Sequence, residues 1–229
     1  MKHLFIAGNW KSNKTVVESL KWMQKFSAEY DQIRTGLTDS TIVICVPYTA
    51  LLVLKEQIDA KSLPVQLGAE NVSPFKEGAE TGEVSARMVR ELADWVIVGH
   101  SERRKNFAET DDTLAQKVAR AKEAGLKVIY CVPDEQTVVP AGIDVVAYEP
   151  VWAIGTGKTE TAENANTVIS GIKAKSQVAT AIYGGSVTAE NVAGFVAQPH
   201  IDGVLPGGAS LNPATFARLI RAAGAVNTA

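Results

Sequence analysis

Residues 95–132 read WVIVGHSERRKNFAETDDTLAQKVARAKEAGLKVIYCV, and this stretch decides the class of fold. It begins with the apolar, β-branched run 95–99 and ends with a second such run, 127–132. Between them lie apolar residues at helical spacing and the acids of a first helical turn, namely Leu114, Val118, Ala121, Asp111 and Asp112. Neither run alternates apolar with polar residues, which indicates strands buried on both faces and therefore a parallel β–α–β unit.

The same kind of apolar run recurs along the whole chain of 229 residues, and helical patterns separate most of the runs. The runs are 3–7, 41–46, 65–68, 95–99, 127–132, 145–148, 180–183 and 203–205. Eight such strands predict an α/β protein with a closed (β/α)8 barrel, formed as a single domain over residues 1–229. A doubly wound open sheet is the alternative fold.

The connection between the fifth and sixth predicted strands is short for a β–α–β crossover. Only residues 133–144 separate them, whereas a crossover with its helix usually takes about a dozen residues or more. The segment contains Pro133, Pro140 and Gly142 and has little helical periodicity. We therefore predict that the fifth helix is shortened or missing. We also expect this segment to be locally labile, because a missing helix would uncover part of the barrel wall.

Composition and charge argue against several classes of protein. The 23 basic and 25 acidic residues give a net charge of −2, so electrostatics offers no reason to expect nucleic acid or an anionic membrane as a partner. No apolar run approaches the roughly 18 residues of a membrane span. Two cysteines and the lack of a signal-peptide pattern argue against a disulfide scaffold. We expect a cytoplasmic protein.

In a (β/α)8 barrel the functional residues gather at the carboxyl ends of the strands. Polar side chains follow the first, fourth and sixth strands, and they are Asn9, Lys11, His100, Glu102 and Glu149. Glycine-rich segments follow the sixth, seventh and eighth strands, at 155–158, 184–186 and 206–210. Glycines let the backbone approach a ligand and present N–H groups to an anion. This division predicts a small phosphorylated substrate that meets a cation, a base and a polarising group.

Motifs for nucleotide, metal and thiol chemistry are incomplete. Gly157-Lys158-Thr159 matches the end of a phosphate-loop motif, but Trp152 stands where that motif requires glycine. No G-x-G-x-x-G opens a helix after the first strand, and neither C-x-x-C nor H-E-x-x-H occurs. We therefore expect no nucleotide-binding site and no metal ion. Cys45 and Cys131 are interpreted as buried thiols.

Four motifs resemble those of the triosephosphate isomerase family, from the first strand to the end of the barrel. They are GNWK at 8–11, VGHSERR at 98–104, AYEPVWAIGTGK at 147–158 and YGGS at 183–186. GAENV at 68–72 and TGE at 81–83 also match the third loop of the family. The resemblance implies a TIM barrel and a cofactor-free isomerase. Such an enzyme interconverts dihydroxyacetone phosphate and D-glyceraldehyde 3-phosphate in glycolysis and gluconeogenesis.

The resemblance also implies roles for individual residues. Glu149 matches the general base that forms an enediolate, and His100 matches the neutral imidazole that polarises the carbonyl. Lys11 matches the cation near the oxyanion and the phosphate, with Asn9 donating beside it and Glu102 orienting it. The residues that would bind the phosphate are Gly155, Ser186, Gly207 and Gly208, together with Asn9 and Lys11. Residues 150–158 match a lid that closes over the substrate.

Two departures from the family's sequence bear on the site, and the third loop bears on the assembly. Pro133 and Asp134 stand where the family usually has glycine and glutamate, and Pro206 stands where it usually has valine. Proline lacks an N–H, so Pro206 affects the backbone beside the phosphate glycines. The third loop, residues 70–82, is full length, which implies a homodimer with Thr81 near the partner's site.

Two other functions remain open at this point. One is a different barrel enzyme for phosphorylated sugars, such as an aldolase in which Lys11 forms a Schiff base. The other is a non-catalytic binding or structural barrel, which the loss of the fifth helix favours.

Overall fold

Parallel strands form a closed barrel at the centre of the molecule. The structure is a computed structural model that describes residues 2–33, 37, 39–151 and 160–227. Within these residues the strands are β1 (Leu4–Asn9), β2 (Ser40–Val46), β3 (Gln66–Ala69), β4 (Trp95–Val98), β5 (Lys127–Val132), β6 (Val145–Tyr148), β7 (Thr180–Tyr183) and β8 (Gly203–Val204). Each strand pairs in parallel with the next, and β1 also pairs with β8. The closed (β/α)8 barrel is confirmed, and the open sheet is excluded.

Helices surround the barrel and connect its strands. In the described part of the chain they are α1 (Val16–Ile33), α2 (Tyr48–Lys61), α3 (Ala86–Leu92), α4 (Ser101–Asn106), α5 (Asp111–Glu123), α6 (Ala162–Ser176), α7 (Val192–Val196) and α8 (Pro213–Asn227). The hydroxyl of Thr110 accepts from the N–H of Thr113 at the start of α5, and Thr161 caps α6 in the same way. None of these helices combines the length and apolar character needed to cross a bilayer.

Successive residues of each strand contribute to two different cores, which explains the absence of polar alternation. On β5, Ile129 and Cys131 belong to the core inside the barrel, whereas Val128 and Tyr130 pack in the layer between the barrel and the helices. Cys131 and Cys45 are both buried free thiols, as predicted. Since both strand faces are occupied by apolar side chains, polar groups are displaced to the strand ends.

Residues 133–144, all of which the structure describes, contain no helix between β5 and β6. The predicted loss of the helix after the fifth strand is therefore confirmed, and α4 and α5 both belong to the connection before that strand. The segment forms turns instead. One carboxylate oxygen of Asp134 accepts hydrogen bonds from the backbone N–H groups of Gln136 and Thr137, at 3.0 and 2.9 Å. This is the local arrangement by which aspartate replaces backbone pairing in turns.

The short connection nevertheless covers its side of the barrel. Glu135 lies against α6 at Gly171, where a Cβ atom would collide with its carboxylate, and Lys175 donates to the Glu135 carbonyl at 3.2 Å. The outward-facing Val128 and Tyr130 of β5 are 0% and 1% exposed. The expectation that the missing helix would uncover the barrel wall is therefore wrong, since these residues are buried and Val139 and Ile143 of the segment pack against the same core.

Candidate active site

The polar residues that follow three different strands meet at one end of the barrel. A cavity of about 680 Å³ is lined by Asn9, Lys11, His100 and Glu149 on one side and by glycine-rich turns on the other. The turn residues include Gly184, Gly185, Ser186, Gly207 and Gly208. Glu102 lines a neighbouring cavity of about 490 Å³ that shares Asn9, Lys11 and His100 with the first. Gly155 and most of the segment 150–158 lie outside the described residues.

His100 is held as a neutral imidazole by the turn that joins β4 to α4. Gly99 makes this turn at a φ of +79°, and a Cβ there would crowd the Cys131 carbonyl at 3.3 Å, so glycine is required. His100 then caps α4, because its Nδ1 accepts from the backbone N–H of Glu102 at 3.2 Å. A ring nitrogen that accepts carries no proton, so the ring proton resides on Nε2. The residue is only 6% exposed.

Glu149 presents one free carboxylate oxygen to this imidazole. Its Oε2 accepts from the backbone N–H of Ser101 at 2.9 Å, and its Oε1 lies 3.1 Å from Nε2 of His100. Within the described residues, Oε1 has no aligned hydrogen-bond donor, although the side chain is almost fully buried. A Cβ at Gly184 would lie 3.0 Å from Cγ of Glu149, so a larger residue there would displace the carboxylate.

Lys11 is fixed at both its backbone and its side chain. Its φ is +55°, an uncommon conformation for a residue with a side chain, and its N–H donates to Oδ1 of Asn9 at 3.0 Å. Its Nζ forms an ion pair with Oε1 of Glu102 at 2.6 Å. The other oxygen of Glu102 lies 3.7 Å from Nδ1 of His100. Glu102 therefore sits between the lysine and the imidazole, as an orienting acid would.

Two glycine turns line the same cavity as Glu149 and His100. The N–H of Gly184 donates to the Tyr148 carbonyl at 2.7 Å, which joins the first turn to the end of β6. A Cβ at Gly207 would lie 3.4 Å from Cε of Lys11, whereas Gly208 faces open space. Pro206 uses its carbonyl, which accepts from the N–H of Asn9 at 2.9 Å. The second turn is therefore attached to the end of β1 at Asn9, two residues before Lys11.

Sequence reasoning assigned no role to Glu70, although the residue lies within the quoted GAENV motif. It lines the cavity next to Lys11, and its Oε1 is buried without a hydrogen-bond partner in the described part of the chain. Burial raises the pKa of Glu70 to about 8, so the carboxyl is protonated at neutral pH. No local pattern in the sequence predicts this, because the burial of Glu70 arises only when the end of β3 and the segment of Lys11 come together at one cavity.

Thiol and metal chemistry find no support at this site. Burial, together with the charge of Glu149, raises the pKa of the Cys131 thiol well above its ordinary value, so the thiol is not a nucleophile. Burial likewise raises the pKa of Cys45. Over the ranges that the structure covers, no three histidine, cysteine, aspartate or glutamate side chains form a group that could hold a metal ion.

Comparison with known proteins gives a consistent result over nearly the whole chain. The family model described as triosephosphate isomerase matches residues 4–223. The triosephosphate isomerase of Synechocystis sp. is 43% identical over 244 residues, which cover 96% of this chain and 98% of that protein. That of Synechococcus sp. is 42% identical, with 96% and 95% covered. That of Dehalococcoides mccartyi is 37% identical over 255 residues, with 99% and 98% covered.

Proposed function

The chain belongs to the triosephosphate isomerase family and interconverts triose phosphates in glycolysis, and we propose that Glu149, His100 and Lys11 carry out the reaction. One observation carries this assignment. The Oε1 atom of Glu149 lies 3.1 Å from Nε2 of His100, in a cavity that Lys11 also lines and that two glycine turns close. A base, a polarising donor and a cation thus face a space that also presents backbone to an anion.

The proposed base is Glu149. Its carboxylate removes a proton from the carbon beside the carbonyl of dihydroxyacetone phosphate and returns it to the neighbouring carbon, through an enediolate. The hydrogen bond from Ser101 holds one oxygen and leaves the other to accept the proton. Since such a carbon acid is weak, the enediolate must be stabilised at the moment it forms.

The proposed stabilising groups are His100 and Lys11, with Asn9 donating beside them. The Nε2–H of a neutral imidazole donates to the carbonyl oxygen, and its proton affinity suits transfer between the two oxygens of the enediol. A carboxylate base working with a neutral imidazole is the established pattern in triosephosphate isomerases. The ammonium of Lys11, oriented by Glu102, balances the charge of the enediolate and the phosphate.

The proposed phosphate-binding groups are the backbone N–H groups of Ser186, Gly207 and Gly208, joined by Gly155 outside the described residues. The bare backbone at Gly207, next to the side chain of Lys11, supports this placement. From the resemblance we propose that residues 150–158 act as a lid. Closure of a lid excludes water and hinders loss of phosphate from the enediolate.

The proposed assembly is a homodimer that forms through the third loop, residues 70–82. Its tip is exposed, including Thr81 and the half-exposed ring of Phe75, and the cavity beside Lys11 offers a place for a partner's loop. Sedimentation velocity should give a dimer, and replacing 76–80 by two glycines should give a monomer with reduced kcat. A monomeric native protein would contradict this proposal. The single domain and the cytoplasmic location stay predictions.

The Schiff-base alternative for Lys11 is disfavoured because its Nζ is engaged by Glu102 at 2.6 Å and is not free to attack a carbonyl. A coupled assay tests the preferred assignment. Glu149→Asp keeps the charge but withdraws the carboxylate by one methylene, and it should lower kcat by about 100-fold, as a 1 Å misplacement can. Wild-type kcat in this variant would contradict the assignment of the base.

A further inference from the structure

A fully buried hydroxyl lies directly behind the glycine turn that follows β8. Ser210 is 0% exposed and does not line the cavity. Its Oγ donates to the carbonyl of Gly207 at 2.7 Å, and a second, longer contact of 3.4 Å joins it to the carbonyl of Asn9. The backbone N–H of Ser210 also donates to the Gly207 carbonyl, at 2.9 Å. Both lone pairs of that carbonyl oxygen are therefore engaged by one residue.

The close packing of Ser210 against β1 depends on Gly8. A Cβ atom at Gly8 would lie 2.8 Å from Cβ of Ser210 and 3.1 Å from Cζ of Phe216 on α8. Carbon atoms do not pack at such distances, so a side chain at position 8 would push Ser210 away from the strand. The bare strand and the buried serine together hold the turn on the end of β1.

The engaged carbonyl determines the direction of the next N–H group. In a trans peptide the C=O of one residue and the N–H of the next point in opposite directions, and the described residues contain no cis peptide. Because Ser210 holds the Gly207 carbonyl on the buried side of the turn, the N–H of Gly208 points to the other side. Gly208 is exposed and lines the cavity. Its N–H is thereby directed to the space proposed for the phosphate.

The two ends of the turn are attached by contacts that do not involve the Ser210 hydroxyl. At one end the carbonyl of Pro206 accepts from the N–H of Asn9 at 2.9 Å. At the other end Nζ of Lys14 donates to the carbonyl of Leu211 at 2.8 Å. Removal of the hydroxyl should therefore leave the turn in place and loosen only the peptide that the hydroxyl anchors.

We propose that Ser210 is a positioning residue for phosphate binding, whose hydroxyl orients the peptide between Gly207 and Gly208 so that the Gly208 N–H donates to the phosphate. The inference rests on the proposed function, because it takes this turn as part of the phosphate site. Ser210 touches no substrate and acts through the Gly207 carbonyl. Its loss should weaken the binding of phosphorylated ligands and spare the acid–base chemistry at Glu149.

The test compares Ser210→Ala with Ser19→Ala, by steady-state kinetics with glyceraldehyde 3-phosphate and by inhibition with inorganic phosphate. Ser19 is the matched control, because it is also 0% exposed and its hydroxyl donates to the carbonyl of Thr15 at 2.8 Å. In Ser210→Ala, kcat/KM should fall about tenfold and the inhibition constant of phosphate should rise about tenfold, since a hydrogen bond to an anion is weakened. Ser19→Ala should keep wild-type values of both.

A shortened substrate separates positioning from a general structural effect. Glyceraldehyde lacks the phosphate, so its kcat/KM, measured by deuterium exchange in D₂O, should be the same in Ser210→Ala and in the wild type. A merely structural role would lower kcat/KM for both substrates alike. Ser210→Cys has a similar volume but keeps only a weak donor, so it should show the same selective loss, and it decides the case if Ser210→Ala does not fold.

Three results would overturn the proposal: unchanged inhibition by phosphate in Ser210→Ala, equal losses with the two substrates, or the same loss in Ser19→Ala. Failure of the proposed function would give different results. A Gly208 amide resonance that does not shift when inorganic phosphate is added to the wild type would overturn the phosphate site itself. Full activity in Glu149→Gln would overturn the assignment of the base.

Discussion

The backbone N–H of Glu102 donates to Nδ1 of His100 at 3.2 Å, and this one contact determines which ring nitrogen of the histidine carries the proton. An Nδ1 that accepts this hydrogen bond carries no proton, so the ring proton resides on Nε2, which lies 3.1 Å from Oε1 of Glu149. The turn that starts α4 thereby sets the tautomer of His100 and leaves Nε2 as the ring nitrogen that donates. The polarising role proposed for His100 depends on this geometry.

Replacement of His100 by glutamine should therefore slow the chemical step while leaving the fold intact. General acid–base groups typically contribute 100-fold or more, so kcat should fall at least about 100-fold. His200→Gln, at an exposed position, is the control and should be silent. In the wild type, ¹⁵N NMR at neutral pH should show Nδ1 unprotonated and Nε2 protonated. An Nδ1-protonated ring would refute the polarising role.

Loss of the Lys11 charge should affect binding and catalysis together. Lys11→Met keeps the length of the stem but removes the cation proposed to face both enediolate and phosphate, so kcat/KM should fall by about 100-fold or more. Lys25→Met, on the exposed face of α1, removes the same charge away from the site. Steady-state kinetics on both variants provide the measurement. Equal values for the two variants would remove Lys11 from the mechanism.

Glu70 should make the folded protein less stable as the pH rises. Its pKa is about 8 in the folded protein, because of burial, against an ordinary value of 4.5. The folded state therefore retains a proton that the unfolded chain releases, and stability falls between about pH 4.5 and pH 8 and levels off above that range.

Glu70→Gln should remove this dependence. Denaturant unfolding at pH 5 to 9 should show the variant gaining on the wild type up to about pH 8, by on the order of a few kcal/mol. Glu56→Gln on the exposed side of α2 should follow the wild-type curve. A constant difference between Glu70→Gln and the wild type at all pH values would show that Glu70 is not the titrating group.

The turn that replaces the fifth helix should depend on the Asp134 carboxylate. Asp134→Ala removes the acceptor of two backbone N–H groups, so stability should fall by about 1 kcal/mol and hydrogen exchange at Gln136 and Thr137 should accelerate. Asp134→Asn keeps the same acceptor oxygen and should remain close to the wild type. Unchanged exchange in Asp134→Ala would mean that packing on α6, rather than this turn, orders the segment.

The strands and the cluster of polar residues were predictable because both depend on local pattern. Trp95–Val98 and Val145–Tyr148 are apolar throughout, with Gly99 directly after the first and Pro150 two residues after the second, so their burial and their carboxyl ends follow from the residues themselves. In parallel strands the residues that follow such ends share one rim, which brings Lys11, His100 and Glu149 together. The roles of these residues came from the family resemblance.

The remaining features depend on packing between segments that are distant in sequence. Nothing in the sequence around Glu70 distinguishes it from a solvated glutamate, and its burial beside Lys11 arises only in the folded barrel. The approach of residues 133–144 to α6 depends on Gly171, where a side chain would collide with Glu135. A count of residues in the connection predicted the missing helix but not the contact that compensates for it.

Isomerisation in D₂O, followed by proton NMR, tests the central claim most directly, because it reports the proton transfer assigned to Glu149. The wild type should convert glyceraldehyde 3-phosphate and place deuterium on the product carbon next to the carbonyl. Glu149→Gln should remain folded, with conversion and deuterium incorporation reduced by about 1,000-fold or more. Conversion with deuterium incorporation near the wild-type rate in Glu149→Gln would contradict the account, because a different group would then be moving the proton.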